Sequence, residues 1–482
     1  MSNADFGKIF ILKRIEEQRS RLALIKSTFL HLAQNLKTIQ RACVSKKLIP
    51  PILYSDLVFR EFAERIDQLE INLERISINS DYGTIARQHR SLSSSIRGLM
   101  DTLARFQQLH DQRISGLHAL KTIEYQPTLQ SEYSLIGKVY NAVDALSYEL
   151  MENCFGEKWI KEKQYVPLSL FGLEYSMLPL SETGPSCLIT VPYYDCFRAR
   201  FWPGLAHEVA HTMVESNGPL LKCMKYELYD LVDVLVYEFK DQEDAQRTVE
   251  NYIYPQIVEV VCDIVSTYLC GPASLFSGST MLNFSSRLGY HTFYDAIRYS
   301  THPPIEVRMT AMRKVLDLLN VSSSYSSSEI ILNGFQTFLE GKNIVPQDQI
   351  QEFIGGYSEE SFLFDHTNLP GLIFDYKKAI ELFTSSVVGV LKDSNLVPFN
   401  GEKWKDVTNT IKHGSLNGLN PIQLMNVAWV VRLEKIVGDS NLEKKPFLDK
   451  RKSEMKLFEM LVHNMYRYYE REVVPKVINP DL

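Results

Sequence analysis

A mainly α-helical protein with a small β-sheet (an α+β chain) is what this sequence predicts, on three observations. Apolar residues recur at intervals of three and four through the first hundred or so positions, and again around Leu424–Leu433 and Met455–Tyr469. Between Tyr165 and Val191 that period disappears and proline, glycine and short apolar runs take over. Just after this interval, a helix-sized stretch bounded by Pro203 and Asn217-Gly218-Pro219 carries the pattern His207-Glu208-x-x-His211.

The N-terminal part, residues 1–125, reads as a helical coiled-coil or bundle domain. One seam runs through Leu22, Ile25, Phe29, Leu32, Leu36 and Ile39 and is broken at Ile49-Pro50-Pro51. A second runs through Phe59, Phe62, Ile66, Leu69, Leu73 and Ile76, and a third through Leu92, Ile96, Leu99, Leu103 and Phe106. Three such helices joined by short breaks predict an antiparallel bundle or hairpin. It serves either as an arm, for homo-oligomerisation or for a partner protein, or as a packing domain. After Gln126-Pro127, Tyr133–Cys154 reads as one more helix. Strands are expected at 166–170 and 187–191, forming a sheet whose edge suits an extended peptide. A helix should open at Pro255 and stop at Gly271-Pro272. Ser322–Ser328, with only Tyr325 interrupting the serines, reads as a linker. The expected domains are therefore 1–125, 126–320 and a C-terminal helical domain, 321–482, in which no chemical motif stands out.

Bulk properties narrow the function. The chain has 482 residues, 45% hydrophobic and 23% charged, with a net charge of -6. That balance gives no basic footprint for nucleic acid. The seven cysteines are scattered without a C-x-x-C pair, as expected of reduced thiols in the cytoplasm. Lys8, Lys13, Arg14, Glu16 and Glu17 interrupt any N-terminal apolar run, so no signal peptide is expected. No stretch reaches the roughly 18 to 20 apolar residues of a membrane span.

The chemistry centres on the H-E-x-x-H helix. Positions i and i+4 share a helical face, so His207 and His211 can both present a ring nitrogen to one Zn²⁺, the expected cofactor. Glu208, one step round, can take a proton from a water molecule there. A catalytic zinc needs a third protein ligand. Glu259 and Asp263 stand at i and i+4 in the otherwise apolar run Ile257–Val265, where a carboxylate needs a partner. In this reading Glu259 binds the metal and Asp263 accepts the free ring N–H of a ligand histidine. The other reading is a solvent-facing stripe of Glu259, Asp263 and Ser266. His302, held extended before Pro303, stands where a histidine can donate to an oxyanion. Tyr290 and Tyr299 are further hydroxyl donors, or simply core or surface residues.

The order H-E-x-x-H, E-x-x-x-D, T-H-P-P-x-x-x-R, spanning roughly residues 185 to 318, resembles the HtpX-like and CAAX-prenyl-protease-like zinc metallopeptidases, among the gluzincins. The resemblance implies a gluzincin-like core with His207, His211 and Glu259 as zinc ligands and Glu208 as general base. It also implies Asp263 as support for a ligand histidine and His302 as transition-state stabiliser, with Arg308 ordering the site by ion pairing. Unlike usual members of that family, the chain shows no membrane helix, and Cys262 stands where they carry alanine. The expected activity is a zinc-dependent endopeptidase acting on a protein or peptide substrate. The alternatives are a catalytically silent zinc scaffold that works through its helical arms, a zinc peptidase or amidase for a small or modified substrate, and a peptidase switched by a C-terminal sensor.

Overall fold

The computed structural model describes residues 3–45, 56–76, 82–110, 130–156, 168–172, 175–179, 187–196, 198–225, 254–278, 305–321, 369–394, 396–400, 416, 418–438, 447–473 and 475. Among the described residues the protein is mainly α with one small sheet. Its residues group into two compact units, Met1–Asp144 with Lys158–Pro192 and Tyr469–Leu482, and Ala145–Glu157 with Tyr193–Tyr468.

In the first unit, α1 (Asn3–Ser45), α2 (Asp56–Glu74) and α3 (Tyr82–His110) pack on one another. The seams read from the sequence are the buried faces: Leu22, Ile25, Phe29 and Leu32 on α1, Phe62, Ile66 and Leu73 on α2, and Leu92, Ile96 and Leu99 on α3. Side chains of Leu36, Ile39, Phe59 and Phe106 lie outside the described residues. Three contacts fix the direction of α2 against α1. The Phe29 and Phe62 rings lie 4.4 Å apart, Lys26 Nζ donates to Asp67 (2.9 Å) and Glu70 (2.7 Å), and Arg19 donates to the Leu73 carbonyl. As the residue number rises on one helix it falls on the other, so the pair is antiparallel.

The sheet has three strands in the order β1-β3-β2. β1 (Leu168–Gly172) runs parallel to β3 (Cys187–Pro192), and β2 (Ser176–Pro179) runs antiparallel to it. Two strands were expected near these positions. β2 has only four residues and ends in proline, too short for a period to show. Helix α4 (Gln130–Phe155) ties β1 down: Asp144 accepts from the Ser169 amide (2.8 Å) and hydroxyl (2.6 Å), and Tyr140 stacks on Phe171.

The second unit is built on α5 (Gly204–Ser216), α6 (Tyr254–Cys270) and α7 (Ile305–Leu318), with α8 (Leu369–Asp393), α9 (Pro421–Gly438) and α10 (Phe447–Tyr468). α6 is its axis and packs against α5, α7, α8 and α9. All twelve residues from Glu259 to Cys270 are buried, so this helix is covered all round rather than along one stripe. Packing thus groups the described helices beyond residue 321 with α5–α7, although the sequence has a serine-rich break at 322 to 328. Ser322–Ser328 and Trp404 lie outside the described residues. Trp429 is core, and its Nε1 donates to the Arg200 carbonyl at 2.7 Å. No helix among the described residues is long and apolar enough to cross a membrane.

α6 stops where expected. Gly271 has φ +61°, the left-handed conformation that closes a helix C-terminus. A Cβ there would meet the Phe399 ring at 2.5 Å. Phe399 has little room to give, because its backbone N donates to the Tyr268 carbonyl at 2.7 Å and its side chain is buried. Gly271→Ala therefore combines a disfavoured φ with an overpacked contact. It should cost about 2 to 4 kcal/mol of stability, read as a lower urea midpoint.

Candidate metal centre

α5 places its functional face by burying the other one. Leu205, Ala206, Val209, Ala210, Met213 and Val214 are all at most 1% exposed, which leaves His207, Glu208 and His211 on the half-open side. The helix starts as expected at proline, with Pro203 as N-cap at φ −55° and the Ala206 amide donating to its carbonyl. Asn217 ends the helix differently from a left-handed cap. It is extended, and its side chain accepts from Leu220 N at 3.0 Å, which starts the helical turns at 218–225.

α6 brings Glu259 and Asp263 against these histidines. Glu259 Oε2 lies 3.1 Å from His207 Nε2, and its Oε1 lies 3.5 Å from His211 Nε2. One ligand atom each from His207, Glu208 and His211 also falls within 4.8 Å of the others. The solvent-facing stripe is overturned: Glu259, Asp263 and Ser266 are all buried. The spacing fits a metal. A tetrahedral ion with bonds of about 2.0 to 2.1 Å holds neighbouring ligand atoms about 3.4 Å apart. The two measured separations, one to each Glu259 oxygen, lie on either side of that value.

The other side of His207 is fixed as well. Its Nδ1 lies 3.0 Å from Asp263 Oδ1. Asp263 in turn accepts two bonds from Arg308 on α7, Nε to Oδ2 at 2.5 Å and Nη2 to Oδ1 at 2.8 Å. Arg308 Nη2 also approaches Glu259 Oε2 at 3.8 Å. Burial alone would raise the Asp263 pKa, but the Arg308 charge and hydrogen bonds, with His207, pull it down to about 2. Burial likewise works against charge on Arg308, and Asp263 outweighs it, so the guanidinium stays charged. With Nδ1–H donated to Asp263, loss of the second ring proton leaves His207 in the tautomer whose Nε2, aimed at Glu259, can bind a metal. Cys262, between the two carboxylates on α6, has its pKa driven well up by burial and by the nearby Glu259, Asp263 and Glu208 charges, so it is a neutral thiol.

Charge makes the same point. Among the described residues here, three carboxylates (Glu208, Glu259 and Asp263) stand around two imidazoles and one guanidinium in a mostly buried place. Buried carboxylates need partners, and a divalent cation between neutral imidazoles would be one. Without a metal, a proton does part of that work. Burial lowers the His207 pKa, but the bonds to Asp263 and Glu259 outweigh it and raise the pKa to about 9.

The structure thus brings together six of the seven residues singled out in the sequence. His302 lies outside the described residues, as do Tyr290 and Tyr299. Sequence reasoning missed Asn426, which grips the far end of α6. Its signal was an amide inside the apolar run Leu424–Trp429. Comparison of the chain with protein-family models, with curated proteins and with solved structures finds no match.

Three outcomes are expected of this geometry. A group whose folded pKa is raised stabilises fully below its unfolded pKa, here about 6.5, and loses that contribution as pH rises through the folded value. The metal-free protein should therefore become less stable between pH 6.5 and about 9, and His207→Ala should flatten that slope. A metal on Nε2 must displace the proton there, so zinc binding at pH 7.5 should release about one proton. Calorimetry in buffers of different ionisation enthalpy measures it. Separately, Asp263→Asn should weaken zinc binding about 10- to 100-fold, read by chelator competition.

Proposed function

We propose that this protein is a zinc-dependent endopeptidase of gluzincin type. The observation that carries the reading is the double contact of Glu259: one carboxylate from α6 reaches the Nε2 atoms of both histidines of the H-E-x-x-H helix at ligand-to-ligand distances. Glu208 stands among the same atoms. In this reading His207, His211 and Glu259 hold Zn²⁺. Asp263, gripped by Arg308, keeps His207 in the tautomer that binds metal. The bound ion would acidify a water molecule and polarise the substrate carbonyl.

The chain's own residues then manage the protons. Glu208 accepts a proton from the attacking water as its oxygen bonds to the carbonyl carbon. The tetrahedral adduct collapses, the C–N bond breaks, and Glu208 returns the proton to the departing amine nitrogen. His302, in its Thr-His-Pro-Pro segment, is assigned the hydrogen bond to the oxyanion. Arg308 has its two strongest bonds on Asp263, so it orders the site without touching substrate.

The test separates binding from chemistry. Glu208→Gln should bind zinc like the wild type and lower cleavage of an unfolded protein substrate about 10²- to 10⁴-fold. The His207→Ala, His211→Ala double variant should purify without stoichiometric zinc. Wild-type cleavage rates in Glu208→Gln would refute the assigned base. A wild-type protein that takes up no zinc would end the reading altogether.

A further inference from the structure

We infer that Asn426 on α9 is a positioning residue for the metal centre, acting through α6. The inference rests on the zinc reading above.

α6 is packed mostly by apolar surface: Val260, Val261, Ile264, Val265 and Leu269 are at most 2% exposed. Apolar contact is non-directional and tolerates small rotations about the helix axis. Directional contacts do not. Outside the metal centre, the last turn of α6 and the residue Ala273 after it share hydrogen bonds with residues 396–426, while further on Ser277 Oγ donates to the Phe201 carbonyl at 3.3 Å. Asn426 Nδ2 donates to the Cys270 carbonyl at 2.9 Å, and its Oδ1 accepts from Ala273 N at 3.0 Å. Its second N–H goes to the Ile422 carbonyl, so the amide is fully used and fully buried. Phe399 N adds a bond to the Tyr268 carbonyl, and Tyr268 Oη reaches the Leu396 carbonyl at 3.5 Å.

Glu259 sits eleven residues before Cys270, about 16 Å along the helix. Rotation carries over that distance undiminished, because the helix turns as one body. A carboxylate oxygen stands roughly 6 Å from the axis, so a turn of only about 10° moves it by about 1 Å. Functional constellations tolerate about 0.5 Å. Asn426 therefore acts together with Arg308, which grips Asp263 itself, in setting where Glu259 and Asp263 point, although it touches neither carboxylate.

The experiment uses the full chain with Asn426→Leu and, as control, Leu461→Ala, a buried position on α10 whose loss also lowers stability. Both are read well below their melting temperatures, where a merely destabilised chain binds metal unchanged. Zinc affinity is taken by chelator competition and site geometry by the visible spectrum of the Co²⁺-loaded protein. Asn426→Leu should bind zinc at least tenfold more weakly and give a weakened or shifted Co²⁺ band, while Leu461→Ala matches wild type in both. Wild-type affinity and spectrum in a folded Asn426→Leu chain would overturn the inference and leave the zinc reading standing. Equal losses in both variants would overturn it too, since the effect would then be general loosening. A wild type that binds neither metal would remove the reading and the inference together.

Discussion

Both nitrogens of the His207 ring meet carboxylates from a single helix, α6, and the second unit is arranged so that they can. The ring needs α5 anchored through its opposite face, which Leu205, Val209 and Met213 provide. The carboxylates need α6 held with Glu259 and Asp263 turned towards α5, and they need Arg308 from α7 to balance one of them. Three helices therefore converge on one imidazole. Remove any of them and a buried charge loses its partner.

That arrangement is expensive. Taking a carboxylate or guanidinium out of water costs several kcal/mol even after relaxation, and well-packed apolar residues in their place often give a more stable protein. Asp263 and Arg308 recover much of the cost through a two-pronged bond, the geometry in which a guanidinium binds a carboxylate best. Glu259 has no such grip on Arg308, which lies 3.8 Å away. Its oxygens face imidazole nitrogens instead. In the metal-free protein they share the charge of a protonated His207.

Much of this was legible in the sequence, for a physical reason. Helical spacing makes i and i+4 neighbours, so His207 with His211 and Glu259 with Asp263 each announce a shared face. Charged residues in the apolar run of α6 announce a partner. The N-terminal seams were legible in the same way, since Leu22 through Leu32 recur at the period that buries them. The pairing of Glu259 and Asp263 with the histidine helix came from the need for a third ligand and a partner for buried carboxylates, not from spacing; nothing in the sequence said that Asn426 would close on Cys270 and Ala273. β2 escaped because four residues ending in proline carry no period, and its pairing comes from β3.

The serine-rich break at 322–328 invites a picture of a C-terminal region that folds apart and covers or senses the site. Packing in the second unit argues for a different relation. α8 and α9 lie against α6 itself, and Phe399 and Asn426 bond to its last turn. Taking these helices away would expose the apolar flank of the helix that carries Glu259 and Asp263, and strip the amide contacts on its last turn. α6 is held directionally at two places, by Arg308 at Asp263 and by Asn426 at its last turn, with apolar packing between them, so the C-terminal helices share with α7 in holding the rod that carries both carboxylates.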